Sequence, residues 1–170
     1  MLFMDRIGFI RVIACLALSA CWSLNAQTLP QGRVVLTVSG KIGNPNQGTQ
    51  ALFDMAMLEA LPQRSFTTMT PWQKEPVQFT GPLLRDVLAQ VKASGTSIQA
   101  TALNDYKIRI PVEDTQRFDV LMALRMNGEP MPVRTRGPLF IVYPFDAHAQ
   151  LRSVQYYERS IWQLRALDIE

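Results

Sequence analysis

The chain predicts an α+β domain with a mixed β-sheet and a few short helices. Three observations lead there: many short β-branched or apolar runs, few segments at helical spacing, and no regular strand–helix–strand alternation. Val34, Leu36 and Val38 alternate with smaller residues and predict a first strand, closed by Gly43-Asn44-Pro45-Asn46. Thr49 is placed to cap a helix running to Leu61, because Leu52, Met55, Leu58 and Leu61 form one stripe and Pro62 stops it. Ser65 to Thr70 and Val77 to Phe79 read as strands. Gly81-Pro82 opens a second helix with Leu84, Val87, Leu88 and Val91 on its buried face, and Gly95 ends it. Strands follow at Ile98 to Leu103 and Tyr106 to Ile110, the second turning Tyr106, Ile108 and Ile110 to one face. Val120 to Met126 meets the hairpin pair Asn127-Gly128. Leu139 to Tyr143 is an apolar run of buried-strand type, and Trp162 to Ile169 completes the domain.

Residues 1–26 have the three-part layout of a secretory signal: Arg6 and Arg11, an apolar stretch from Val12 to Trp22, and a polar end before Gln27. The apolar stretch is shorter than the roughly 20 residues a spanning helix requires. Cleavage after Ala26 leaves 27–170 as a single domain, expected in the periplasm. Leu18-Ser19-Ala20-Cys21 is the alternative, a lipobox that would make Cys21 a lipidated anchor. Both cysteines, Cys15 and Cys21, fall in this leader, so the exported domain has neither a disulfide nor a thiol.

Losing Asp5, Arg6 and Arg11 with the leader lowers the formal net charge of +3 by one. With no basic tract, this is no nucleic-acid or DNA binder. His148 is the single histidine, in a loop, so a histidine-rich metal site is excluded. The glycines form neither a P-loop nor a dinucleotide fingerprint. Glu113-Asp114 follows Pro111 near a helix start, where negative charge is favourable, and is assigned to capping.

Three segments remain: Thr67-Thr68-Met69-Thr70-Pro71-Trp72, Ala102-Leu103-Asn104-Asp105-Tyr106, and Val133 through Arg136-Gly137-Pro138 to Pro144. A planar heterocycle needs an aromatic wall and a few fixed polar groups. Trp72, Tyr106 or Tyr143 can supply the wall, Thr70, Asn104 and Asp105 the polar edge, and Arg136 an anion contact. Each segment also has a local reason to exist, since an Asn-Asp turn or a Pro-Trp corner needs no ligand.

In their order these segments resemble the molybdopterin-binding oxidoreductase domain of the sulfite oxidase family, from about Val34 to Ile169. The likeness is carried by Gly81-Pro82-Leu83-Leu84-Arg85-Asp86-Val87-Leu88, Tyr106 to Pro111, Asn127-Gly128-Glu129-Pro130-Met131-Pro132, Arg136-Gly137-Pro138-Leu139 to Pro144, and Trp162. The resemblance implies a sulfite oxidase-like fold, a molybdopterin-type ligand and a metal-ligating cysteine shortly before Trp72. Thr68 stands near that position. A threonine hydroxyl is a poor soft ligand for a high-valent metal, so molybdenum is not expected. Among short exported versions of this fold, the chain is similar to PruR-type pterin-binding proteins. That similarity implies a periplasmic pterin sensor or adaptor that signals to a membrane cyclic-di-GMP enzyme or another membrane sensor, through that partner's periplasmic domain. Thr70, Trp72, Asn104, Asp105, Tyr106 and Arg136 would hold the pterin, and no catalytic residue is assigned. Two readings stand beside it: a molybdopterin-dependent oxidoreductase and a non-binding interaction scaffold. Whether the protein is an enzyme is left open, with the missing thiol weighing against it.

Overall fold

The computed structural model describes residues 28–170, so the expected leader and its two cysteines lie outside the described residues. In chain order the elements are β1 (Val34–Gly40), β2 (Ala51–Asp54), α1 (Met55–Glu59), β3 (Gln63–Thr68), β4 (Val77–Pro82) and α2 (Leu84–Gln90). Then come β5 (Ser97–Ala102), β6 (Lys107–Pro111), α3 (Val112–Arg117), β7 (Leu121–Ala123), β8 (Arg125–Met126) and β9 (Glu129–Pro130). The last are β10 (Phe140–Val142), α4 (Val154–Arg159) and β11 (Leu164–Ile169). The expected α+β architecture is what the chain adopts. Among the described residues no helix is long and apolar enough to cross a membrane.

A five-stranded sheet runs in the order β2-β1-β11-β5-β6. Its β1–β11 pair is parallel and its other pairs are antiparallel, which makes it mixed. Leu36 and Val38 of β1, Ile98 and Ala100 of β5, and Leu167 and Ile169 of β11 are buried, while their sequence neighbours Val35, Thr37 and Gln99 are partly exposed. This is the period-two pattern of a sheet with one face in the core. A second, antiparallel sheet β3-β4-β8-β9 and the pair β10-β7 supply the opposing apolar surface. Phe79, Phe140, Tyr143 and Phe145 are buried there to 1% exposure or less.

The stretch from Thr49 to Leu61 departs from the single helix its stripe predicts. Ala51–Asp54 is an edge strand, with Leu52 opposite Thr37, and only Met55–Glu59 is helical. Leu52, Met55 and Leu58 fit a helix, but Ala51 and Phe53 are buried at strand spacing, and pairing with β1 decides between the two. Asp54, not Thr49, caps the helix. Its Oδ1 accepts the Met57 N–H at 2.9 Å, and its Oδ2 accepts the Gln31 and Gly32 N–H groups, each at 2.8 Å.

Those donors, Gly32 first and then Met57, hold the Asp54 carboxyl below its ordinary value of 3.8. A carboxyl lower in the folded than in the unfolded chain stabilises fully above the unfolded value and loses this contribution as pH falls towards the folded one. The difference in urea midpoint between wild type and Asp54→Asn is therefore expected to shrink as pH drops below about 4. A difference that does not change with pH would rule this out.

Three further expectations shift. Pro82 closes β4 opposite Gln63 instead of opening α2, which begins at Leu84. Gly95 is not the cap of α2; the chain leaves through Val91 and then Lys92, whose φ of 51° is left-handed. Gly95 lies against the end of β11, where a Cβ would come within 2.2 Å of the Glu170 carbonyl oxygen. Val120 to Met126 is two strands, not one, because the chain passes from β7 into β8 of another sheet. Asn127 and Gly128, both at positive φ (52° and 83°), form the expected hairpin between β8 and β9.

Asp114 is a correction of another kind. Glu113 and Asp114 do lie in the first turn of α3, but Asp114 is 5% exposed and makes no capping bond; α3 has Pro111 at its N-cap, with no side-chain bond. Its Oδ2 accepts both the Tyr143 hydroxyl and an Arg159 guanidinium N–H, each at 2.8 Å. Burial raises the Tyr143 phenol far above its ordinary value, with the Asp114 charge adding to it, so the ring is a neutral donor in the core. Tyr143 is thereby removed from the candidate ligand walls.

Candidate functional site

Trp72 follows the end of β3, on a turn in which the Gln73 N–H donates to the Thr70 carbonyl at 3.3 Å. Its ring is edge-on to Trp162 (5.3 Å between centroids, 86°), Phe140 (5.9 Å), Tyr157 (6.2 Å) and Phe145 (6.3 Å). This puts the Pro-Trp corner inside an aromatic cluster assembled from β10, α4 and the residues just before β11. Arg136 braces it, with its guanidinium carbon 5.9 Å from the Trp72 ring and 5.6 Å from the Trp162 ring. Desolvation lowers the Arg136 guanidinium from its usual value.

A cavity of about 390 Å³ lies beside this cluster. Its aromatic lining is Trp72, Tyr106, Tyr157 and Trp162, and its polar lining is Asn104, Glu158 and Ser160. Ala102, Val154 and Ile161 complete it. Tyr106 and Val154 are 46% and 69% exposed, so the cavity opens between the β5–β6 turn and the start of α4. A second cavity, of about 500 Å³, is lined by Arg33, Thr37, Ser39, Leu103, Val133 and Arg165 among others, with no aromatic ring. Only the first offers a flat ligand a surface to stack on.

Of the six residues expected to bind a ligand, Trp72, Asn104 and Tyr106 line this cavity and Thr70, Asp105 and Arg136 do not. Asn104 shapes its own turn, its Oδ1 accepting the Tyr106 N–H at 3.2 Å. Asp105 sits at a left-handed φ of 64° and is ion-paired with Arg165. The pairing of β11 with β5 shifts register between Leu164 and Ala166. Arg165, at that irregularity, also donates to the Ala102 carbonyl at 3.0 Å. Arg136 acts on the aromatic pair from outside the lining.

Thr70 is 6% exposed, and its Oγ1 is the one buried side-chain polar atom among the described residues with no hydrogen-bond partner. An unpartnered buried hydroxyl is costly, and this one lies outside the lining of both cavities. Tyr157, Glu158 and Trp162 were not expected in the binding site, Trp162 having been noted only as part of the family likeness. Tyr157 and Glu158 belong to a short helix with no signal of its own in the sequence.

Residues 35–154 match the model of the oxidoreductase molybdopterin-binding domain. The chain belongs to that family. No curated protein matches it. For a molybdopterin-binding domain the cavity is chemically apt, since aromatic walls and an amide suit the flat pterin half of that cofactor. The described residues around this corner do not suit a metal held by the protein. Thr68, which the resemblance puts near a metal-ligating cysteine, is 1% exposed and its hydroxyl is already engaged. Thr68 Oγ1 accepts the Asp146 N–H at 3.0 Å and donates to the Met69 carbonyl at 3.2 Å, while Asp146 Oδ2 accepts the Met69 N–H at 2.6 Å. The pair clamps the end of β3 to the loop after β10. Among the described residues no three of His, Cys, Asp or Glu gather as a metal site.

Proposed function

We propose that this protein is a periplasmic pterin-binding sensor or adaptor that reports ligand occupancy to the periplasmic domain of a membrane signalling protein, such as a cyclic-di-GMP enzyme. The observation that carries the reading is the aromatic cavity at Trp72 in a molybdopterin-binding domain whose Thr68 hydroxyl is committed to the fold. Trp72, Tyr106, Tyr157 and Trp162 would stack on the bicycle, with the Asn104 amide at its edge. Val154 and Tyr106, exposed at the opening, would pass occupancy to a partner by a shift of local populations. The leader supports an exported site of action.

Protein purified from periplasm, denatured and extracted, is expected to release a fluorescent pterin and to contain no stoichiometric molybdenum. Stoichiometric molybdenum would favour the oxidoreductase reading, and no pterin with no affinity for added pterin would favour a scaffold. Thr70→Val is expected to leave the ligand-free protein as stable as wild type or up to about 1 kcal/mol more stable, because it removes an unpartnered hydroxyl. Pterin affinity should stay within about twofold of wild type in the same variant, because Thr70 lies outside the cavity lining. A clear loss of ligand-free stability would show that the hydroxyl has a partner in the protein.

A further inference from the structure

The acidic residue that lines this cavity is not the one the sequence singles out. Asp105 is held by Arg165 outside the lining, whereas Glu158 lines the cavity beside Trp72, Tyr157 and Trp162. Among the described residues Glu158 takes part in none of the ion pairs. Its backbone is nevertheless fixed from both sides. Tyr157 packs edge-on against Phe145 at 5.1 Å, Arg159 is bound to buried Asp114, and Ser160 Oγ donates to the Tyr156 carbonyl at 2.9 Å. A carboxylate residue on a pinned helix end thus borders the cavity beside a wall of rings.

We infer that Glu158 sorts the ligands of this cavity, accepting two adjacent N–H donors of a 2-amino-4-oxopyrimidine edge. The assignment rests on the pterin reading and names what that site selects. The N3–H and 2-amino group of a pterin are parallel donors, which a carboxylate accepts in the two-pronged manner it uses towards a guanidinium. A 2-oxo analogue, a lumazine, puts a carbonyl oxygen where the second donor should be. The carboxylate then faces an acceptor, and the mismatch works against binding. A charge-assisted pair of this kind at a partly open site corresponds to roughly 10–100-fold in affinity.

The test is a titration of wild type and Glu158→Gln with 6-hydroxymethylpterin, the matching lumazine and guanosine, followed by tryptophan fluorescence at a pH where lumazine is neutral. Wild type is expected to prefer the pterin over the lumazine by roughly 10–100-fold. Glu158→Gln should weaken pterin binding about tenfold, leave lumazine binding unchanged or tighter, and melt as wild type does, because the side chain is exposed. Pterin binding by wild type with the same preference in Glu158→Gln would overturn the assignment and leave the pterin reading standing. Binding of neither heterocycle nor guanosine by wild type would overturn both. Guanosine carries the same edge; if it binds more tightly than the pterin and loses affinity in Glu158→Gln, Glu158 keeps its role and the ligand class moves from pterins to guanines.

Discussion

Asp114→Ala is expected to cost about 3–5 kcal/mol of folding stability, a drop of roughly 10–20 °C in Tm. The carboxylate is buried between two donors on other elements, the Tyr143 hydroxyl at the end of β10 and Arg159 at the end of α4. Removing it strands a guanidinium whose side chain is only 14% exposed, together with a phenol that burial keeps neutral. An unpaired buried charge costs far more than the intact pair contributes, so the effect comes mainly from what is left behind. Tyr143→Phe, which removes one donor and leaves the ion pair, should cost only about 1–2 kcal/mol. Urea unfolding of both variants checks the ranking, and an Asp114→Ala loss under 1 kcal/mol would refute the account. The same variant should loosen α4, which has no buried residue of its own and no side-chain cap, and so blur the cavity wall at Tyr157.

The second large effect is at Trp72. Replacement by alanine removes the ring that meets Phe140, Phe145, Tyr157 and Trp162 edge-on, and because it is only half-buried the stability loss should be about 2–4 kcal/mol. Pterin affinity should fall by more than tenfold, since stacking on an aromatic ring is worth about 1–3 kcal/mol by alanine substitution. Trp72→Phe separates the two, restoring most of the stability while binding recovers in part. Calorimetric titration at a temperature where both variants remain folded makes the comparison; undiminished affinity in Trp72→Ala would remove Trp72 from the site.

Where a segment's own residues decide its conformation, the sequence is a good guide. Asn127-Gly128 forms the hairpin because its backbone needs two positive φ values in a row. The apolar run Leu139 to Tyr143 holds the buried strand Phe140–Val142, because it is too short for a helix and is rich in residues that suit a pleated, buried surface. The 49–61 stretch fails because Leu52, Met55 and Leu58 fit a helix while Ala51 and Phe53 fit a half-buried strand, and β1 is invisible in a local window. Asp114 fails similarly: next to a helix start a carboxylate has a sufficient local explanation, and its partners lie 29 and 45 residues away.

The candidate site divides along the same line. The residue types of the Pro-Trp corner and the Asn-Asp-Tyr turn are compatible with a flat ligand as well as with purely local roles, and the absence of cysteine from 27–170 withholds the thiolate. Those are properties of composition and order, and no fold alters them. Which side chains share one cavity is a property of distance between segments far apart in the chain. The tertiary structure seats Trp72 beside Tyr157 and Trp162, ties Asp105 away to Arg165, and brings Glu158 in its place. Polar groups a few residues apart compete for the same ligand until packing places one of them within reach. Here α4 is the element that does so, anchored by one buried carboxylate from α3.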